Sequence, residues 1–208
     1  MLVTSAAEFV PDPPTLLTLR EAVRSCKGCD LYRHATQAVF GEGPARASVM
    51  FIGEQPGDQE DLQGHPFVGP AGQLLHKALE ESGIDRSDAY ITNAVKHFKF
   101  EERGKRRLHK KPRVSEIKAC RPWLEAEAAV VRPRVIVCLG ATAALSVFGS
   151  EYRLTRDRGK FIEHPWAHQA TSTIHPSAIL RAPDAERRQE EYRRFVDDLK
   201  KVRGVMAG

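Results

Sequence analysis

ASVMFIGEQPG, residues 47–57, runs from an apolar stretch straight into a tight glycine–proline turn. A short, unbroken apolar run suits a strand buried on both faces, as in parallel sheets covered by helices. AYITNAV (89–95) and RVIVCLG (134–140) repeat the pattern, and ATSTIHP (170–176) supplies a further strand. Between them lie segments with helical spacing: PTLLTLREAVRS (14–25), GQLLHKALEESG (72–83), VSEIKACRPWLEAEAAVV (114–131), ATAALSVFG (141–149) and a last helix over about 184–203. Pro122 is expected to kink the 114–131 helix or divide it. Residues 152–166 read as strand and turn. Strands alternating with helices predict an α/β fold, a three-layer α/β/α sandwich around a mostly parallel central sheet. Ligands of such sheets bind beyond the carboxyl ends of the strands. Those positions are held by GEQPGDQED (53–61), NAVKHF (93–98), GATAAL (140–145) and HPSAIL (175–180).

With 208 residues, 41% of them hydrophobic, the chain is long enough for one sizeable core, and a single domain over 1–208 is expected. VIVCLGATAALSVFG (135–149), the longest apolar-leaning run, is too short and too interrupted to cross a bilayer. MLVTSAAEFVPDPP at the start has no basic segment before an apolar one, so no leader is expected and the protein reads as a cytoplasmic monomer without membrane contact. The net charge is +5, and its distribution is uneven. Residues 99–113 hold eight Lys and Arg against Glu101 and Glu102, which leaves the rest of the chain near neutral. A basic insert of this kind is a candidate phosphate-contacting loop or a solvated one. Within it lies GKRRLHKKP (104–112), where His109 is flanked by Lys105, Arg106, Arg107, Lys110 and Lys111.

Cys26 and Cys29 form a C-x-x-C pair after the first helix; Cys120 lies in the 114–131 helix and Cys138 in the third strand. Four thiols with one close pair suit a metal or cluster site, and zinc and a [4Fe-4S] cluster both accept four thiolates. Cys120 and Cys138 also read as ordinary core cysteines.

The turn GEQPG (53–57) brings Glu54 to the mouth of the sheet, with backbone N–H groups able to face a ligand. GHPFVGPAG (64–72) presents Phe67 on a rigid loop, able to stack on a planar ring. HPS (175–177) follows the last core strand. C-x-x-C, GEQPGDQED, GHPFVGPAG, TNAVKHF, two later cysteines and HPSAILR, in this order over roughly residues 15 to 200, closely resemble the family 4 iron–sulfur uracil-DNA glycosylases. The resemblance implies a [4Fe-4S] cluster on Cys26, Cys29, Cys120 and Cys138. Two features depart from that family: Gln55 stands where it has alanine, and the basic insert is extra. Both resemble the X-type variant of the family. That variant stays covalently attached to DNA after excising uracil, through the histidine of a KRR-x-H loop, here KRRLH (105–109).

The resemblance implies uracil-containing DNA, single- or double-stranded, as partner, with the target base flipped from the stack into a pocket. Phe67 would stack on the uracil, and the Asn93 amide would pair with its N3–H and O4, a pattern that cytosine reverses. His175, with the backbone around Gln55, would stabilise negative charge on the departing base. Glu54 would face the cationic sugar. The turn that holds Gln55, Gly57 and Asp58 is the first candidate for excluding the methyl group of thymine. His109 would attack C1′ where a hydrolase uses water. Lys105, Arg106, Arg107, Lys110, Lys111 and Arg181 would grip the DNA. A turnover enzyme whose basic loop only binds phosphate is the alternative.

Overall fold

The computed structural model describes residues 5–207. The extreme ends of the expected 1–208 domain, and the first four residues of the stretch read as leaderless, lie outside the described residues. The first strand is β1 (Val49–Gly53), followed by β2 (Ala89–Asn93), β3 (Phe100–Arg103), β4 (Arg106–His109), β5 (Val135–Leu139), β6 (Ile162–His164) and β7 (Ala167–Thr173). The helices are α1 (Leu16–Val23), α2 (Asp58–Gln63), α3 (Pro70–Ser82), α4 (Val114–Val131), α5 (Ala141–Phe148), α6 (Leu154–Asp157), α7 (Pro176–Leu180) and α8 (Ala185–Ala207).

Five strands form the central sheet in the order β2-β1-β5-β7-β6. All its pairings are parallel except that of the edge strand β6 with β7. Alternation along the strands divides the core in two. Val49, Phe51, Ile91 and Val137 face α3 and α8 through Leu75, Leu79, Phe195 and Leu199. Met50, Ile52, Tyr90 and Ile136 face α4 and α5 through Leu124, Ala128, Ala143 and Val147. This is the expected α/β/α layering, with a mostly parallel sheet.

Two local features differ from the sequence reading. Of the two outcomes expected at Pro122, division of the helix does not occur: α4 is continuous from Val114 to Val131 with the proline inside it. An interior proline costs about 3 kcal/mol in a helix. Burying a large apolar side chain returns about 1.5–3 kcal/mol, and Ile117, Trp123 and Leu124 of this helix are all buried. The basic insert is also not a loop. It is an antiparallel hairpin in which β3 pairs with β4, Phe100 opposite His109 and Arg103 opposite Arg106. Among the described residues, no helix is long and apolar enough to cross a membrane.

Candidate active site

The carboxyl ends of β1, β2, β5 and β7 open onto a cleft of about 790 Å³. Glu54, Gln55, Gly57, Phe67, Asn93, His109, Lys111, His175 and Arg181 all line it, so the structure brings together residues spread over most of the sequence.

Two loops meet at its wall. Phe67 has a left-handed backbone, with φ of 56°. Gly72 allows it, since a Cβ there would lie 1.7 Å from the Phe67 carbonyl oxygen. Glu60 ties this loop to the β1 turn by accepting from the N–H groups of Gly69 (2.7 Å) and Gly57 (3.0 Å). Gly57 therefore lines the cleft, but its amide is already committed. Asn93 ends β2 directly beside Gly53. A Cβ on residue 53 would come within 2.3 Å of Asn93 Oδ1 and 2.7 Å of the Phe67 ring, so the glycine leaves both side chains room to face the cleft.

At the opposite wall His175 starts α7. Its Nδ1 accepts the Ser177 N–H at 3.1 Å, so in the neutral ring the hydrogen resides on Nε2. Burial pushes its pKa down to about 4, against the pull of Glu54, and the ring is neutral at pH 7. Glu54 lies 3.3 Å from His109 Nε2 and accepts a short hydrogen bond from Thr142 Oγ1. Burial works against its charge, but the bonds from His109 and Thr142 and the nearby His175 prevail and hold its carboxyl below the usual value. The arrangement offers a neutral donor, a fixed anion, a stacking ring, an amide and an imidazole at one cleft. Such a set suits a reaction that develops negative charge at one end of a bond and positive charge at the other.

The hairpin carries His109, and its anchoring changes the expected roles of several residues. Gln55 Nε2 donates to the carbonyls of Lys99 (3.2 Å) and Lys110 (3.0 Å), while its Oε1 accepts the Lys99 N–H (3.1 Å). Its amide thus clasps both strands at the hairpin base. Arg107, expected to face DNA, points inward instead: it reaches Asp58 and Asp61, each at 2.6 Å, and lies over the rings of Phe98 and Phe100. Charge-assisted pairing and cation–π contact outweigh solvation for a guanidinium so enclosed. Asp58, expected to contact substrate, is correspondingly engaged as a partner of Arg107. Lys105 and Arg106 are exposed at the turn, Lys111 and Arg181 flank the cleft, and Lys110 pairs with Glu101.

The cysteines divide. Cys26 and Cys120 share an apolar cluster that the partly buried Cys29 packs against. Burial pushes the Cys120 thiol up to about 12, with Cys29 and Cys26 adding to the effect. Trp123 Nε1 donates to Cys26 Sγ at 3.2 Å, and the Lys96 N–H to Cys120 Sγ at 3.3 Å. Cys138 corrects the expected set. It sits within β5 in the separate core under α5, and burial alone raises its pKa. A central strand fixes its side chain among Ile52, Tyr90 and Ala143, so only three of the four thiols fit a shared cluster. Among the described residues, no three His, Cys, Asp or Glu side chains converge to hold a single metal ion.

Thr142, Glu60 and the buried Lys96 and Glu127 were not anticipated from sequence. Thr142 and Glu127 act through partners distant along the chain, whereas Glu60 and Lys96 also bond to groups within a few residues that no recognised motif marks.

A profile of the Uracil DNA glycosylase superfamily matches residues 40–200. A protein of Thermotoga maritima named Type-4 uracil-DNA glycosylase is 40% identical over 189 residues, covering 89% of this chain and 92% of its own. The protein of the same name from Archaeoglobus fulgidus is 37% identical over 193 residues, 89% and 90% of the two chains. A protein of Bacillus phage SP01 named DNA polymerase is 29% identical over 169 residues, 81% of this chain but only 17% of its own. With four-fifths or more of its length aligned to such relatives, and with the cleft at the strand ends, this chain belongs to the Uracil DNA glycosylase superfamily.

Proposed function

We propose that the protein acts as a single-domain monomer that excises uracil from DNA and then joins His109 to C1′ of the resulting abasic sugar. The observation that carries this reading is the 3.3 Å approach of His109 Nε2 to Glu54 at the cleft where Phe67, Asn93 and His175 also meet. In this reading Phe67 stacks on the flipped base and Asn93 reads its N3–H and O4. As the N-glycosidic bond breaks, its electron pair leaves with uracil, and His175 donates from Nε2–H to O2. The ionised Glu54 faces the cationic sugar. His109 donates its Nε2–H to Glu54, which orients the ring, and the lone pair on the other nitrogen, Nδ1, forms the bond to C1′; Glu54 stabilises the resulting imidazolium, and the Nε2 proton then passes to solvent. A neutral N-alkyl imidazole is a poor leaving group, so the adduct persists.

Lys105, Arg106, Lys111 and Arg181 contact phosphate in this reading, and Lys110 joins them on exchanging Glu101 for DNA. Cys26, Cys29 and Cys120 supply three thiolates toward a [4Fe-4S] cluster, which would brace α4 against the N-terminal segment; Cys138 does not suit the fourth position. No chemical step is assigned to the cluster.

The test is a labelled uracil-containing oligonucleotide run on a denaturing gel beside a thymine control. A band shift that survives heat and detergent only with uracil is expected. Strand breakage after alkali without a shift would replace this reading by the second one, a turnover enzyme. The second reading is supported by the names of the relatives.

A further inference from the structure

Behind Asn93 lies an ion pair that the proposed chemistry leaves unused. The Lys96 ammonium and the Glu127 carboxylate are in direct contact, and both side chains are 0% exposed. Lys96 Nζ also donates to Thr92 Oγ1 at 2.7 Å and to the Asn93 carbonyl at 2.9 Å. Its three donors are thereby all engaged. Glu127 Oε1 accepts from the Gly41 N–H at 3.2 Å, and from the Tyr90 and Thr92 hydroxyls at 2.9 Å each. Taking two charges out of water costs several kcal/mol per ion, and such pairs contribute little net stability beside an apolar replacement. What this one secures is geometry.

The secured element is the turn that leaves β2. Ala94 N–H bonds to the Gly53 carbonyl at 2.9 Å and Val95 N–H to that of Glu54 at 3.1 Å, while Lys96 N–H reaches Cys120 Sγ. The chain thus curls around the ammonium, which grips the Asn93 carbonyl from within. Asn93 has little lateral freedom, because its Oδ1 lies over Gly53. A tilt of the peptide after residue 93 would swing the amide away from the cleft or into the Phe67 ring.

We propose that Lys96 and Glu127 are positioning residues, which fix the Asn93 backbone so that its side-chain amide meets the base in one orientation. This rests on the reading of Asn93 as the group that distinguishes uracil from cytosine.

The double variant Lys96→Met/Glu127→Gln tests it. Both charges leave together, the volumes are nearly kept, and the amide retains an oxygen for Tyr90, Thr92 and Gly41. The grip on the Asn93 carbonyl is lost, together with the ammonium's bonds to Thr92 Oγ1 and to residue 127. Three quantities are compared with the unsubstituted protein: the melting curve, inhibition by free uracil, and uracil release relative to cytosine release from matched oligonucleotides. The expected result is a cooperatively folded variant in which free uracil inhibits about tenfold less tightly and discrimination against cytosine falls by a factor of about ten or more. A folded variant with unchanged uracil inhibition and unchanged discrimination would overturn the proposal. Should the double variant fail to fold, Glu127→Gln alone decides: a smaller loss of discrimination supports the proposal, and unchanged discrimination overturns it. If the unsubstituted protein itself releases no uracil, the base-excision reading has failed and the inference falls with it.

Discussion

Gly53 is the residue on which the two faces of the proposed base pocket converge. A methyl group there would sit 2.3 Å from Asn93 Oδ1 and 2.7 Å from the Phe67 ring, distances that real contacts do not reach. Gly53→Ala is therefore expected to displace one of these side chains and to slow uracil release about 100-fold or more, the scale of losing a specific pocket contact and its alignment. Single-turnover release from a uracil oligonucleotide measures it, and a rate within threefold of normal would count against the pocket assignment. His109→Ser removes the proposed nucleophile without touching Phe67, Asn93 or His175. The heat-stable DNA product should vanish while inhibition by free uracil is retained, and an adduct that still formed would transfer the nucleophile to another residue. Cys138→Ser should leave iron content and the visible absorption of the purified protein unchanged, whereas Cys120→Ser should diminish both. Equal losses from the two would restore Cys138 to the cluster.

At the level of elements, the hairpin β3–β4 holds an exposed member of the site in place with little apolar packing. His109 is about half exposed, so its position depends on the Gln55 clasp and on Arg107 bridging to α2. Arg107→Met keeps the stem over Phe98 and Phe100 but removes both charge-assisted bonds. Covalent capture should slow about tenfold or more, while uracil release changes less, since the base pocket lies on other elements. A gel time course run beside a uracil-release assay separates the two, and equal losses would mean that the hairpin serves the pocket as well. The same elements show what the sequence could disclose. β1, β2 and β5 announced themselves because both of their faces are largely apolar, and α3 because Leu75, Ala78 and Leu79 recur at helical spacing. The hairpin strands FEER and RRLH carry charge on both faces, so no period of two marks them. α2, reading DQEDLQ, lacks an apolar stripe for the same reason. Gln55 and Arg107 stood out as site residues, but which way each side chain turns depends on partners some 45 to 55 positions away.

For the molecule as a whole, assembling this cleft carries a stability cost that depends on pH. His175 is placed at the head of α7 against Phe67, with ring centroids 5.9 Å apart, and burial lowers its pKa to about 4. In the unfolded chain the same ring titrates near its ordinary value of about 6.5. As pH falls below that value, the unfolded state takes up the proton first and the folded state does not follow until pH approaches 4. Unfolding is therefore favoured progressively through this window, and the contribution levels off once both states are protonated. Between pH 7 and pH 5 this one histidine should remove about 2 kcal/mol of stability. Glu54 works at lower pH: its depressed pKa contributes stability above the ordinary carboxylate range, and that stability is lost only as pH drops through the folded value. Urea unfolding at pH 7 and pH 5, for the natural chain and for His175→Asn, isolates the effect. The natural protein should lose more stability over this interval than the variant, by about the amount above. Equal losses would show that the ring takes up its proton in the folded cleft, and with it that His175 is not the neutral donor which the uracil chemistry requires.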